Sequence, residues 1–261
     1  MRHHLPAAAL ATAALLVLSA CSGSDDAAPA DGELALVTPG TLTVCTNPPF
    51  EPFEFEDENG EIVGLDIDIT REVAEDLGLD LEVLVTPFDT LESGASLNTG
   101  ACDISASGLT ITDERAAKFD FSQPYFDADQ GLLVTEGSGI EDVESLAGKK
   151  IAVQMATTGE TWVEEQGLTP VQFEDLGLQI QALKTGQVDA VVNDIAVLGA
   201  FVSDGLEVTS TFPTGEQYGL GVKKGNTALL EAVDATLERI HEDGTYDAIY
   251  TERIGTAPLA D

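Results

Sequence analysis

Positive charge is what this chain lacks most: its 261 residues carry eleven Lys and Arg against forty-seven Asp and Glu, a formal net charge of −36. So acidic a surface repels phosphate backbones and anionic headgroups, which argues against nucleic acid and charged lipid surfaces as partners. The same excess predicts a protein that gains from salt, because molar electrolyte screens self-repulsion. Histidine is scarce too. Two of the three stand at positions 3 and 4, and His241 is left alone beside Asp243 and Gly244, which argues against a Ser-His-Asp hydrolase. Cysteine occurs only as Cys21, Cys45 and Cys102. The last two are far apart with no histidine between them, so neither spacing suggests a metal site. No internal repeat or coiled-coil period is visible, and no cofactor is expected.

Long apolar runs are missing as well, apart from one at the start. Residues 7–18 (AAALATAALLVL) follow the polar opening Arg2-His3-His4. Twelve helical residues reach about 18 Å, too short for a bilayer core of roughly 30 Å. The run therefore reads as a signal peptide, residues 1–20, set aside from fold reasoning. The quartet Leu18-Ser19-Ala20-Cys21 resembles the bacterial lipobox, which implies a lipid on Cys21 and a protein held at the outer face of the membrane. A plain cleavage site before a cysteine is the alternative. Residues 21–37 read as a flexible tether, since the small, acidic segment Ser22 to Glu33 cannot bury enough apolar surface to offset its ordering entropy. In an oxidising compartment Cys45 and Cys102 tend to pair; two separate buried thiols are the other possibility.

From Thr41 onward, short apolar strands alternate with amphipathic stretches. The strand-like runs are residues 41–45, 81–85, 103–107, 150–154, 189–193 and 218–222. Between the first two, Leu65, Ile69, Val73 and Leu77 recur on one helical face and Gly78 supplies a stop. Leu229, Val233, Leu237 and Ile240 form a similar stripe near the end. This alternation predicts an α/β protein with largely parallel sheets. About 240 residues suit one large domain or two lobes. The extended segments YFDADQGLLVT and TGEQYGLGV read as crossings between lobes. Lobe 1 then comprises residues 38–129 and 216–261, and lobe 2 residues 130–215. Two independent domains in line are the alternative, with fewer helices to cover each sheet.

The runs TLTVCTNPPFEPFEFEDENGEIVGLDIDI, SGLTITDERAAKFDFSQPYF, GKKIAVQMATTGE and GQVDAVVND, with the ending EDGTYDAIYTERIG, occur in order between Thr41 and Ile254. Together they resemble the amino-acid-binding proteins of ABC importers, solute-binding family 3. The resemblance implies a type II periplasmic-binding-protein-like fold of two mixed or parallel sheets joined by a two-strand hinge. It also implies a free amino acid as ligand, a membrane permease as partner, and a monomer without catalytic activity. An amino acid presents a carboxylate, an ammonium and a side chain. Arg115, in the first turn of a helix that Thr112 can cap, can fork two hydrogen bonds onto a carboxylate. The resemblance gives it that role, with Ser107, Gly108 and Thr110 alongside; a surface pair with Asp113 or Glu114 is the bland reading. Asp194 lies at the carboxyl end of a strand, where α/β folds take ligands. By resemblance it holds the ammonium, although Asp there also suits a helix cap.

Phe50 and Phe88 match the aromatic positions that flank the ligand side chain, against the commoner fate of core packing. Phe53 and Phe55 are expected to pack inward. Thr157 and Thr158 resemble the loop that meets the carboxylate on closure, although Met155 and Ala156 stand where Ser and Gly are frequent in the family. Asn47, Phe88, Gln154 and Asn193 are expected to wall the side chain, and their neutrality points to a neutral polar amino acid. The rival functions are a cyclohexadienyl (arogenate or prephenate) dehydratase on the same fold, with Glu160 as the acid, and a ligand-presenting partner of a sensor.

Overall fold

The computed structural model describes Met1 and residues 34–202 and 205–255. The expected signal peptide, Cys21 and the tether as far as residue 33 lie outside the described residues.

The chain builds two five-stranded sheets and a small hairpin. It begins with β1 (Thr41–Thr46), the hairpin β2 (Phe55–Glu56) and β3 (Ile62–Val63), then β4 (Asp80–Val85), β5 (Ile104–Ser105) and β6 (Asp120–Phe121). Strands β7 (Phe126–Thr135), β8 (Ile151–Gln154), β9 (Pro170–Phe173), β10 (Ala190–Asp194), β11 (Leu206–Tyr218) and β12 (Gly221–Val222) follow. The first sheet runs β4-β1-β5-β12-β6 and the second β11-β7-β10-β8-β9. In the first, β1 lies parallel to β4 and β5, while β12 returns antiparallel between β5 and β6. In the second, β8 is parallel to β9 and β10, and β7 and β11 are antiparallel additions. Both sheets are therefore mixed, and the antiparallel members lie on the chain that passes between them.

Burial follows strand position. Strands β1 and β10 sit inside their sheets and are buried almost throughout, whereas the edge strand β4 alternates and β9 exposes its two middle residues. Interior parallel strands are covered on both faces and so read as continuous apolar runs. The sequence shows β1 and β10 clearly for that reason. It hides β9, whose Pro170 and Gln172 suit an edge.

Helices α1 (Leu65–Leu77), α2 (Phe88–Glu92), α3 (Ala95–Asn98) and α4 (Asp113–Lys118) belong to the first sheet. The second carries α5 (Thr158–Glu165), α6 (Leu176–Lys184) and α7 (Ile195–Leu198), and the last described helices, α8 (Thr227–Asp243) and α9 (Thr245–Arg253), lie back against α1. The stripe Leu65, Ile69 and Val73 of α1 is buried, as is Leu229, Val233, Leu237 and Ile240 of α8. Gly78 ends α1 in the left-handed conformation, with φ 65°, which glycine adopts without steric strain. Gly64, just before α1, is required by close approach: a Cβ there would lie 2.1 Å from the Phe53 carbonyl oxygen. Arg239 of α8 pairs with Glu72 and Asp76 of α1 and with Asp243.

Two long strands join the lobes. Residues 126–128 of β7 pair with 216–218 of β11 beside the first sheet, and 130–135 pair with 206–212 within the second. The run 218–222, read as one strand in the sequence, is in fact shared: Tyr218 closes β11, and Gly221 and Val222 enter the first sheet. A two-residue step lets the backbone change sheets there. Cys45 and Cys102 form a disulfide, with Cα atoms 5.8 Å apart, linking β1 to the approach to β5. The alternative of separate thiols is set aside.

Candidate ligand site between the lobes

The first lobe supplies its part from strand ends. Asn47 follows β1; its backbone N–H donates to Ser107 Oγ at 3.1 Å and its Nδ2 to the Thr86 carbonyl at 3.0 Å. Beyond β5, Gly108 has φ 47°, and a Cβ there would lie 2.5 Å from the Phe50 ring. Glycine is thus what lets Phe50 close over the strand end. The Gly108 N–H donates to buried Asp66 at 2.8 Å. Thr112 caps α4 by accepting from the Arg115 N–H, which fixes Arg115 in the first turn.

Arg115 is only 4 % exposed, so the surface-pair reading does not hold. Its Nη1 donates to the Thr110 carbonyl at 2.9 Å and its Nη2 to the Ala156 carbonyl at 3.1 Å. The guanidinium carbon stands 5.5 Å from the Phe88 ring centre, in range of a cation–π contact. Among the described residues no carboxylate lies within ion-pairing distance of it. Burial lowers its pKa, while the fields of Glu92, Asp194, Glu216 and Glu114 work against that fall. A guanidinium has five N–H donors, and the two carbonyls leave several for an anion.

The second lobe answers with a loop and a strand end. Gln154 ends β8, and its Nε2 donates across the cleft to Asn47 Oδ1 at 2.9 Å. Thr157 caps α5, accepting from the Glu160 N–H at 3.2 Å. Ala156 holds φ 65°, a left-handed conformation that disfavours a Cβ; this is the physical reason a glycine is at ease at such a position. Glu160 braces the loop by accepting from the Ala156 N–H at 2.7 Å and from Gln172. It is not among the side chains lining the cavity, so the geometry gives no support to an acid role there.

Asp194 closes β10 and is 8 % exposed. It occupies the cap position of α7, but its side chain makes no capping bond. The Asp194 backbone N–H donates to the Asn193 side-chain oxygen Oδ1 at 2.8 Å. The Asp194 carboxyl accepts from Gln130 Nε2 and the Tyr218 hydroxyl, both on the strands that join the lobes. Burial pushes this carboxyl up to about 7, with Glu216 adding to the rise and Tyr218, Gln130 and Arg115 opposing it.

All the residues grouped from the sequence as ligand contacts line one cavity between the lobes: Asn47, Phe50, Phe88, Ser107, Gly108, Thr110, Arg115, Gln154, Thr157, Thr158 and Asp194. Asn193 lines it too, and Phe53 is buried behind. Glu54, Gln130 and Gly159 complete the lining and were missed. Glu54 is buried, accepts from Ser107 Oγ at 2.6 Å and leaves its second oxygen without a partner. Burial, then the nearby Asp66, raises its pKa well above the usual carboxylate range. Gln130 opens the fully buried part of β7, residues 130–134, and nothing in the local sequence sets it apart from the apolar residues that follow. Among the described residues no group of His, Cys, Asp or Glu is arranged to hold a metal ion.

Comparison with known proteins gives a consistent result. A family profile for bacterial extracellular solute-binding proteins, family 3, matches residues 42–256. The "Probable histidine-binding protein" of Neisseria gonorrhoeae is 37 % identical over 94 % of this chain and 93 % of its own length. The ABC transporter glutamine-binding protein GlnH of Bacillus subtilis is 35 % identical over 77 % of this chain and 76 % of its own. Among solved structures, an ancestral arginine-binding protein bound to glutamine superposes with a TM-score of 0.79 at 41 % identity, covering 84 % of this chain and 99 % of that one.

Proposed function

Because this chain belongs to the bacterial extracellular solute-binding proteins, family 3, we propose that it captures a free amino acid between its lobes and hands it to the permease of an ABC importer. One observation carries the reading. A buried guanidinium on the first lobe and a buried carboxyl on the second face the same cavity, and neither is ion-paired with a protein group among the described residues. A buried charge needs an opposite partner. A zwitterion brings both at once: its carboxylate for Arg115 and its ammonium for Asp194.

The family places the protein outside the cytoplasm, as a binding protein rather than an enzyme. Within the same reading Cys21 carries the lipid, supported by Leu18-Ser19-Ala20 before it, and residues 21–37 form the tether. Lobe 1 is 38–129 with 216–261, lobe 2 is 130–215, and the protein acts as a monomer. Side-chain preference falls to the amides of Asn47, Gln154 and Asn193 at the far wall, and the reading there is a neutral polar ligand. One relative is named for glutamine and one structure, of an arginine-binding protein, holds glutamine, whereas others are named for histidine or arginine.

A thermal-shift screen of the purified protein against the common amino acids tests this. The wild type is expected to be stabilised by at least one of them, and Arg115→Ala and Asp194→Ala are each expected to abolish that shift while remaining folded. Near-wild-type affinity in both variants would place the site elsewhere.

A further inference from the structure

Glu216 is not among the side chains lining the cavity, yet one of its oxygens gathers donors from every part of the cleft. Its Oε2 accepts from Thr158 Oγ1 at 2.7 Å, Thr110 Oγ1 at 3.1 Å and, more loosely, Gln130 Nε2 at 3.5 Å. Thr110 follows β5 in the first lobe, and Thr158 opens α5 in the second. Glu216 and Gln130 lie on the two crossing strands, where Glu216 faces Ala128 in register. A register shift between Phe212 and Glu216 marks an irregularity at this point of β11, and such irregularities re-aim side chains.

The two threonine oxygens stand 3.5 Å apart across the cleft. That proximity exists only with the lobes shut. One carboxylate on a hinge strand cannot follow both hydroxyls if the lobes separate, so opening breaks at least one of these bonds. Hydrogen bonds to a charged acceptor are among the stronger ones, and these are made by the protein to itself. They favour the closed form with or without ligand.

We infer that Glu216 is a positioning residue, a hinge-borne clasp that joins Thr110 to Thr158 and sets how much of the ligand-free protein is closed. The inference concerns closure and goes beyond the ligand reading above. Its consequence is uniform. When only a fraction of the protein is in the binding-competent state, apparent affinity is reduced by that fraction, so loss of the clasp weakens every ligand by the same factor. A residue that touched the ligand side chain would weaken some more than others, and one that touched only the shared carboxylate or ammonium would leave the ligand-free scattering unchanged.

The experiment pairs small-angle scattering of ligand-free protein with calorimetric affinities for several amino acids that bind the wild type. Glu216→Ala is expected to enlarge the ligand-free radius of gyration, to recover the compact value at saturating ligand, and to weaken all ligands by a common factor of roughly ten. Glu216→Gln keeps a carbonyl acceptor and is expected to fall between; it also decides the matter should the alanine variant fold poorly. Unchanged scattering and affinities in both variants would overturn the clasp, as would tighter binding or a loss confined to one ligand. If the wild type bound no amino acid, the zwitterion reading would fail, and the ligand-free scattering would still decide the role of Glu216.

Discussion

On the proposed reading, Asp194 is a single buried side chain through which binding is coupled to protons. Its carboxyl ordinarily titrates near 3.8 and is pushed up to about 7 here, chiefly by burial. Between those two values the folded, empty protein keeps a proton that the unfolded chain has released. Stability contributed by this group therefore declines as pH rises from about 4 to about 7, and the full penalty applies above. Asp66, likewise raised to about 7 by burial, and Glu54, raised well above its ordinary value, act in the same direction. Binding has the opposite trend. On the proposed reading the ligand ammonium pairs with the ionised Asp194 carboxylate, so below about pH 7 capture would expel a proton. Affinity is expected to fall by up to about tenfold per pH unit, roughly fiftyfold from pH 7 to pH 5, while the melting temperature of the empty protein rises. Calorimetry across pH 5–8 checks both; a flat dissociation constant would mean that Asp194 is not the counter-ion. None of this was visible in the sequence, which marked Asp194 as a strand-end acid but gave no sign of the Gln130 and Tyr218 partners that hold it.

At the scale of elements, the site is a meeting of strand ends with helix starts. Thr112 and Thr157 cap α4 and α5 and so hold Arg115 and Thr158 at the cleft. The Thr112 cap was legible because capping is local, whereas Thr157 and Thr158 were reached through the resemblance of their loop to the family's. The crossing strands were legible only as connectors. Gln130, Glu216 and Tyr218 all come from them, and pairing over some ninety residues leaves no local trace. The disulfide belongs to this scale too, because it fastens β1 to the approach to β5 just below Asn47 and Ser107. Closing a loop of 57 residues restricts the unfolded chain by roughly 4 kcal/mol in the loop-entropy picture. Replacing both cysteines with alanine is expected to lower unfolding stability by about 2–5 kcal/mol, read from urea titration, while leaving the cavity residues in place. A loss under 0.5 kcal/mol would show that the bond does not stabilise the lobe.

Over the whole molecule, the sequence conveyed the architecture better than its details. Interior strands, amphipathic α1 and α8 and the family motifs together pointed to two lobes and a shared cleft. The small hairpin and edge strand β9 escaped because neither has enough apolar residues to stand out. Charge is the molecular property without a local counterpart. With −36 spread over 261 residues, repulsion opposes the compact state, and the few cations are drawn into clusters such as Arg239 with Glu72, Asp76 and Asp243, or Arg253 with Asp68. Screening acts within about 3 Å at molar ionic strength, so the melting temperature is expected to climb from low to molar sodium chloride. A midpoint that stayed level or fell would remove self-repulsion as a determinant of stability.

On the proposed reading, two opposite charges recognise the two ends of one small molecule across the cleft. Titration calorimetry with the best amino acid, its α-carboxamide and its N-acetyl derivative tests that directly, since each analogue removes one charge and keeps the rest. Leaving Arg115 or Asp194 buried without its partner costs about 3–5 kcal/mol, so each analogue is predicted to bind at least a hundredfold more weakly than the parent. An analogue that bound as tightly as the amino acid would contradict the account.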